Sequence, residues 1–280
     1  METLSFVKVE AIGNNFVLIN ALDMHEMDWP ALAIKMCAHH FGVGSDGLLV
    51  LKFSDKADFK MLMFNPDGTP DSCGNGLRCM ARYVYAEELT EKRDIVFEAR
   101  DGLRRTEIIV GCLPRSIGGV RMNMGRPSLQ AADIPSTLSG ELVNYPLEVG
   151  GQTFNITAVV VGTPHAVICA PLESFWETIP SVSSEIENHP AFPERINVTW
   201  CARESPESLR VRTWERGVGP TMGCGTGASA ALVAANLNGL AGTRATVTSP
   251  GGSLLVEWPN KGDLFVSGPA NIVYKGEWPL

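Results

Sequence analysis

Two stretches of this chain carry the same local pattern, and together they restrict the fold more than anything else in the sequence. CysGlyAsnGlyLeuArgCysMetAla begins at Cys73 and CysGlyThrGlyAlaSerAlaAlaLeu begins at Cys224, 151 residues later. With 7 Cys and 28 Gly in 280 residues, a shuffled chain would contain C-G-x-G about 0.07 times. Two occurrences therefore point to an internal repeat. In each copy an apolar stripe starts four residues after the cysteine with helical spacing: Leu77, Met80, Ala81 and Val84, then Ala228, Ala231, Leu232 and Ala235. Each cysteine thus sits at a helix start. Upstream, an apolar run ends in a loop with Asn65 or Arg216 eight residues before the cysteine and Gly68 or Gly219 five before it.

A chain of this length is near the usual limit for one core, so two domains are expected. The SerIleGlyGly stretch at 116–119 lies between the copies and is the candidate boundary, giving domains 1–118 and 119–268. Apolar runs at 4–9, 16–19, 48–51, 61–64, 95–97, 108–110, 158–161, 166–169, 196–200, 209–214, 254–258 and 264–266 are bounded by Gly, Pro, Asn and Asp and read as strands. Helices are expected at 29–41, 75–88 and 226–238. The predicted class is α+β.

The net charge is −8 with no basic block, which argues against a nucleic-acid or anionic-membrane partner, since both need a cationic surface. There is no basic n-region, no transit-peptide pattern and no run of 18 apolar residues, so the expected location is cytoplasmic. The seven cysteines are scattered, without a CxxC pair, and the five His show no HxxxH spacing, so neither a disulfide framework nor a metal site is expected. Cys37, Cys79, Cys112, Cys169 and Cys201 lie in apolar runs and read as small core residues. His165, after Pro164 at a strand start, reads as structural.

Cys73 and Cys224 read differently. The positive end of a helix dipole favours thiolate, and the adjoining glycines let backbone amides approach an anion. One such turn per domain would put two thiols and two sets of amide donors around a small anionic substrate at an interdomain cleft. Inverting a stereocentre by proton transfer needs a base on one face and an acid on the other, and a thiolate with a thiol meets that need. The sequence shows no pyridoxal or metal signature, so no cofactor is expected. The developing carbanion would then be stabilised by amides and dipoles.

The sequence resembles the diaminopimelate epimerase family. The matching blocks are IleGlyAsnAsnPhe at 12–16, GlyValGlySerAspGly at 42–47, PheAsnProAspGly at 64–68, the two cysteine turns, GlyThrProHisAla at 162–166, PheProGluArgIleAsnVal at 192–198, TrpGluArgGlyValGly at 214–219 and ProGlyGlySerLeu at 250–254. The resemblance implies two pseudo-symmetric domains, each a curled, barrel-like mixed sheet around a central helix, with a last strand near 270–274 returning to the first domain, which thus takes in 269–280. It implies cofactor-independent interconversion of LL- and meso-diaminopimelate, a lysine and peptidoglycan precursor, with Cys73 and Cys224 as the base and acid pair. It also implies that the substrate is a small diamino dicarboxylate and the protein a homodimer. Asn14, Asn65, Thr163, Asn197, Glu215 and Arg216 fall at substrate-contact positions, with Arg216 suited to a bidentate grip on the distal carboxylate. Gly74, Asn75, Gly225 and Thr226 fall on the turns that hold the reacting carboxylate. Thr163 stands where the family usually has Asn, and Glu10 and Asn15 are local variants. Two alternatives stay open: a two-cysteine racemase for histidine, proline or hydroxyproline, and a thiol redox or ligand-binding protein.

Overall fold

The computed structural model describes residues 2–111 and 116–280, so the reading of Cys112 as a core residue lies outside the described residues. The chain divides into two compact units, Met1–Met122 with Ser267–Leu280, and Asn123–Val266. The class is α+β, as the sequence predicts.

In the first unit, β1 (Thr3–Ala11) and β2 (Asn14–Asn20) form a hairpin across Ile12 and Gly13, whose φ values of 49° and 81° suit the tight turn that right-handed strand twist prefers. Helix α1 (Trp29–Cys37) leads to β3 (Leu48–Lys52), parallel to β2, and β4 (Phe59–Phe64) returns antiparallel. Helix α2 (Gly74–Ala86) then crosses to β5 (Asp94–Ala99), parallel to β4. β6 (Gly102–Val110) and β7 (Ile117–Gly125) follow as antiparallel neighbours. The C-terminal strand Asn271–Pro279 pairs antiparallel with the outer edge of β1. Helix α2 touches β1, β2, β3, β4, β6 and the C-terminal strand, so the sheet curls around it. Its Leu77, Met80, Ala81 and Val84 are buried. Burying a large side chain of this kind stabilises by roughly 1.5–3 kcal/mol.

The second unit repeats the plan. β8 (Tyr145–Val149) flanks β9 (Gln152–Val161), which forms a hairpin with β10 (Thr163–Cys169) across Gly162 at φ 72°. Helix α3 (Val182–Glu187) precedes β11 (Asn197–Ser205), parallel to β10, and β12 (Ser208–Glu215) returns antiparallel, with the short β13 (Gly219–Thr221) folded against it. Helix α4 (Gly225–Leu237) crosses to β14 (Arg244–Ser249), parallel to β12; β15 (Gly252–Glu257) follows antiparallel, then β16 (Leu264–Gly268). The C-terminal strand is β17. Helices α2 and α4 each span 13 residues and begin one residue after Cys73 and Cys224. The alternation of antiparallel hairpins with parallel crossovers is the same in both units.

In each unit the strands curl around the central helix in the expected barrel-like way, without closing. Other expectations are corrected. Helix α1 stops at Cys37 rather than 41, because Ala38 leaves helical geometry and Gly44 and Ser45 donate backward to the carbonyls of Met36 and Cys37. Ile117–Gly119, within the stretch expected at the domain boundary, opens β7, and the units divide inside that strand, between Met122 and Asn123. Strands β7, β8, β13 and β14 and the short α3 were not read from sequence, since their apolar positions are too few or too interrupted by Gly and Thr to stand out. Cys37, Cys79 and Cys201 are buried as expected, but Cys169 is exposed at the end of β10. No helix among the described residues is long and apolar enough to cross a membrane.

Candidate active site

Cys73 is the N-cap of α2, with extended backbone (φ −143°, ψ 122°), and its carbonyl takes the first helical bond from Leu77 at 2.9 Å. The first-turn amides have no intrahelical acceptor, so they favour an anion at this end. The Cys73 thiol lies 3.6 Å from Asn14 Oδ1, which also accepts from Asn75 Nδ2 at 3.2 Å. Asn14 is held from its other end by Asp46, whose Oδ2 accepts from Asn14 Nδ2 at 2.9 Å and from the Asn15 backbone and side-chain amides at 2.8 Å each. Lys8 Nζ donates to Asn15 Oδ1 and to the Gly44 carbonyl. Burial holds its pKa below the usual lysine value, with Asp46 opposing. Asn15 therefore fits its place: an Asp there would set a second carboxylate against Asp46.

Beneath the turn, Arg78 is 1% exposed and donates through Nη2 to Asn75 Oδ1 at 2.7 Å. Burial lowers its pKa, while the neighbouring Cys79 and Cys73 sulfurs act the other way. The same burial pushes the Cys79 thiol well up, so that sulfur stays protonated. A guanidinium under the helix start stabilises negative charge on the sulfur above it. Asn65 closes its own loop, with Nδ2 3.2 Å from both Thr69 Oγ1 and Asp71 Oδ2.

Cys224 caps α4 in the same way (φ −125°, ψ 115°), and its sulfur accepts from Gly227 N at 3.4 Å. Thr226 Oγ1 lies 3.2 Å from that sulfur, 2.9 Å from His165 Nε2 and 3.3 Å from the Thr163 hydroxyl, which donates to it. Fully buried His165 also reaches Thr199 Oγ1 through Nδ1 at 3.0 Å, and Thr199 lies 3.3 Å from Thr213 Oγ1. Burial, then the positive Arg216, lower the His165 pKa to about 3, so the ring is neutral near pH 7. Thr226 has one proton to give. Donating it to the sulfur requires the His165 proton on Nε2, with Nδ1 accepting from Thr199.

Asn197, 6% exposed, ties two loops together: its Nδ2 donates to the Pro164 carbonyl and its Oδ1 accepts from Arg216 N, both at 2.8 Å. The half-buried Arg216 donates from Nη1 to the Glu194 carbonyl at 2.9 Å, and Glu215 Oε1 accepts from Thr221 at 2.6 Å.

Within each unit, then, the sequence-derived residues converge on the cysteine turn or on the loops beside it. Asn14, Gly74 and Asn75 surround Cys73, with Asn65 in the loop after β4; Thr163, Gly225 and Thr226 surround Cys224, with Asn197, Glu215 and Arg216 at the adjoining ends of β11 and β12. Asn14 and Thr163 occupy equivalent places, each directly after a positive-φ glycine and each bonded to the second residue of its helix. Sequence reasoning missed four supporting groups: Asp46, Arg78, His165 in its link to Thr226, and Glu187. Glu187, on α3, is 5% exposed and accepts from Trp214 Nε1 at 2.6 Å, Gly217 N at 2.8 Å and Arg195 Nη1 at 3.2 Å, which clamps the loop carrying Glu215 and Arg216. Arg78 had a sequence signal, a charge set between Leu77 and Cys79 at the start of α2; Glu187 had none.

Chemically, each unit offers a thiol beside the first-turn amides of a helix and a polar network that fixes the turn. No group of three or more His, Cys, Asp or Glu able to hold a metal occurs among the described residues.

Comparison with known proteins agrees with this geometry. A family model described as diaminopimelate epimerase matches residues 6–130 and 157–273, one segment per cysteine turn. Diaminopimelate epimerase of Pelotomaculum thermopropionicum is 41% identical over 285 residues, covering 99% of both chains, and that of Desulforudis audaxviator is 42% identical over 280 residues, covering 98% of this chain and 99% of the relative. Among solved structures, a Bacillus anthracis phenazine biosynthesis protein of the PhzF family aligns over the whole of both chains with a TM-score of 0.73 at 16% identity. A hydroxyproline epimerase from Agrobacterium vitis, with bound trans-4-hydroxy-L-proline, aligns over 99% of this chain and 91% of its own at 0.70 and 14% identity. At that identity these two likenesses speak to the fold alone. The repeated cysteine turn, the fold it organises and the full-length relatives agree: this chain is an epimerase of the diaminopimelate epimerase family.

Proposed function

We propose that this enzyme interconverts LL- and meso-diaminopimelate by two-base proton transfer, with Cys73 and Cys224 acting on the same α-carbon, one as thiolate base and the other as thiol acid. The observation that carries this reading is the equivalence of the two thiols, each capping the central helix of its unit with first-turn amides beside it. A symmetric pair suits a reversible reaction whose acid and base exchange roles with direction. The amides of Gly74, Asn75, Gly225 and Thr226 hold the reacting carboxylate, whose negative charge grows as the α-proton leaves, and this electrostatic stabilisation must supply much of a barrier reduction on the order of 8 kcal/mol or more. Asn14, Asn65, Thr163, Asn197 and Glu215 bind the rest of the substrate, and Arg216 pairs with the distal carboxylate. The homodimer and the cytoplasmic location implied by the resemblance belong to the same reading.

Proton NMR of LL-diaminopimelate with enzyme in deuterium oxide tests it. The expected outcome is loss of the α-proton signal with appearance of the meso isomer, abolished in Cys73→Ala and Cys224→Ala and unaffected by prior dialysis against chelator and hydroxylamine. Full retention of the α-proton rejects proton abstraction. Faster exchange of histidine, proline or hydroxyproline in the same assay transfers the mechanism to that substrate.

A further inference from the structure

A second pair of sulfurs lies outside this chemistry. Cys169, the last residue of β10, is the register partner of Cys201 on the parallel strand β11, and Ala170 N donates to the Cys201 carbonyl at 3.0 Å, so the ladder holds the two residues side by side. Register partners on adjacent strands project from the same face about 4.8 Å apart. Their exposures differ: Cys201 is 1% exposed, whereas Cys169 is open to solvent. In the same register His165 pairs with Asn197, so the dithiol lies four residues along the strands from the Cys224 network, about 13 Å at a strand rise of roughly 3.3 Å per residue.

We propose that Cys169 and Cys201 form a dithiol site that binds trivalent arsenicals as a cyclic bis-thiolate. The step balances without a redox partner: phenylarsine oxide, with arsenic as As(III) throughout, forms two As–S bonds, the As=O bond breaks, and its oxygen leaves as water with the two thiol protons. Cys169 begins the reaction. It is the accessible sulfur, and its Cys201 neighbour lowers its pKa, whereas the Cys169 neighbour and burial raise that of Cys201. Once Cys169 holds arsenic, Cys201 is the adjacent thiol that closes the ring, so the strand ladder supplies the preorganisation that makes two-point binding outlast a single thiolate bond.

Intact-mass spectrometry with one equivalent of phenylarsine oxide tests this, on the full chain carrying both Cys73→Ala and Cys224→Ala so that those thiols cannot compete. The expected result is a single adduct that survives millimolar glutathione, is removed by a dithiol such as 2,3-dimercaptopropanol, and is lost when Cys169→Ser or Cys201→Ala is added. Cys169→Ser alters an exposed residue and keeps the test decisive should Cys201→Ala fail to fold. Absence of the adduct, its removal by glutathione, or its persistence with Cys169→Ser overturns the proposal. None of these outcomes bears on α-proton exchange by the unmodified enzyme, so the two readings fail independently.

Discussion

At the scale of single residues, the two cysteine turns solve one problem with different chemistry. Around Cys73 the support is made of amides and charge: Arg78 under Asn75, Asn75 on Asn14, Asn14 on Asp46. Around Cys224 it is made of hydroxyls and a buried imidazole: Thr163, Thr226, His165, Thr199 and Thr213. A His with folded pKa near 3 and an ordinary value of 6.5 when unfolded binds its proton only in the unfolded chain between those limits. Stability contributed by keeping it neutral is complete above about pH 6.5 and is lost as pH falls toward 3, at about 1.4 kcal/mol per pH unit. Urea denaturation at pH 7, 6, 5 and 4 should show this slope on top of that from other groups, and His165→Gln should lack it.

Elements show the repeat most directly, because equivalent positions do equivalent jobs with different tolerances. Gly76 and Gly227 are both where the central helix meets its sheet. A Cβ at Gly76 would lie 2.9 Å from the end of the flexible Leu49 side chain, whereas one at Gly227 would lie 2.6 Å from Thr213 Oγ1 and 3.2 Å from Thr199 Oγ1, on β-branched side chains with little rotamer freedom. Gly76→Ala should therefore be close to neutral, since a helix-propensity gain of up to about 1 kcal/mol offsets a small adjustment. Gly227→Ala should destabilise by roughly 1–3 kcal/mol and disturb the Thr199–His165 contact, readable in chemical denaturation and in the His165 ring resonances. The C-termini offer a second comparison. Glu88 has φ 57° just past α2, where α4 has Gly239 at φ 70°. A left-handed backbone disfavours any residue with a Cβ, so Glu88→Gly should raise stability by about 0.5–1 kcal/mol, seen as a higher thermal midpoint.

For the whole molecule, chain order and spatial order part company at the C-terminus. β17 joins the unit built from the first 122 residues, pairing along β1 from Thr3–Pro279 to Glu10–Asn271. Phe6 packs against Gly276, where a Cβ would come within 2.7 Å of the ring, and edge-on against Tyr274 at 6.0 Å. Trp278 covers the cluster formed by Leu4, Phe6 and Ile19. Deleting residues 271–280 bares the outer edge of β1 and this cluster. Hydrogen exchange by mass spectrometry should then show α2 amides losing protection by at least tenfold more than α4 amides. Equal loss in both helices would mean that the units do not respond separately.

Much of the fold and of the site could be read in the sequence wherever the determinant is local. Cys73 and Cys224 stand at helix starts because glycines precede an apolar stripe of period 3.6, a relation complete within 13 residues. The repeat at 151 residues carried the same reading across the chain, down to Arg216 at the repeat position of Asn65. Tertiary structure decided what depends on partners distant in sequence: that Asp46 rather than solvent holds Asn14 from 32 positions away, that His165 meets Thr226 across 61, and that Glu187 grips the loop of Arg216 from another helix. It also left Cys169 exposed beside its register partner Cys201. The physical reason is that periodicity records which face of an element avoids water, whereas the choice of hydrogen-bond partner and strand neighbour is made only when the chain closes long loops, and no residue carries that choice alone.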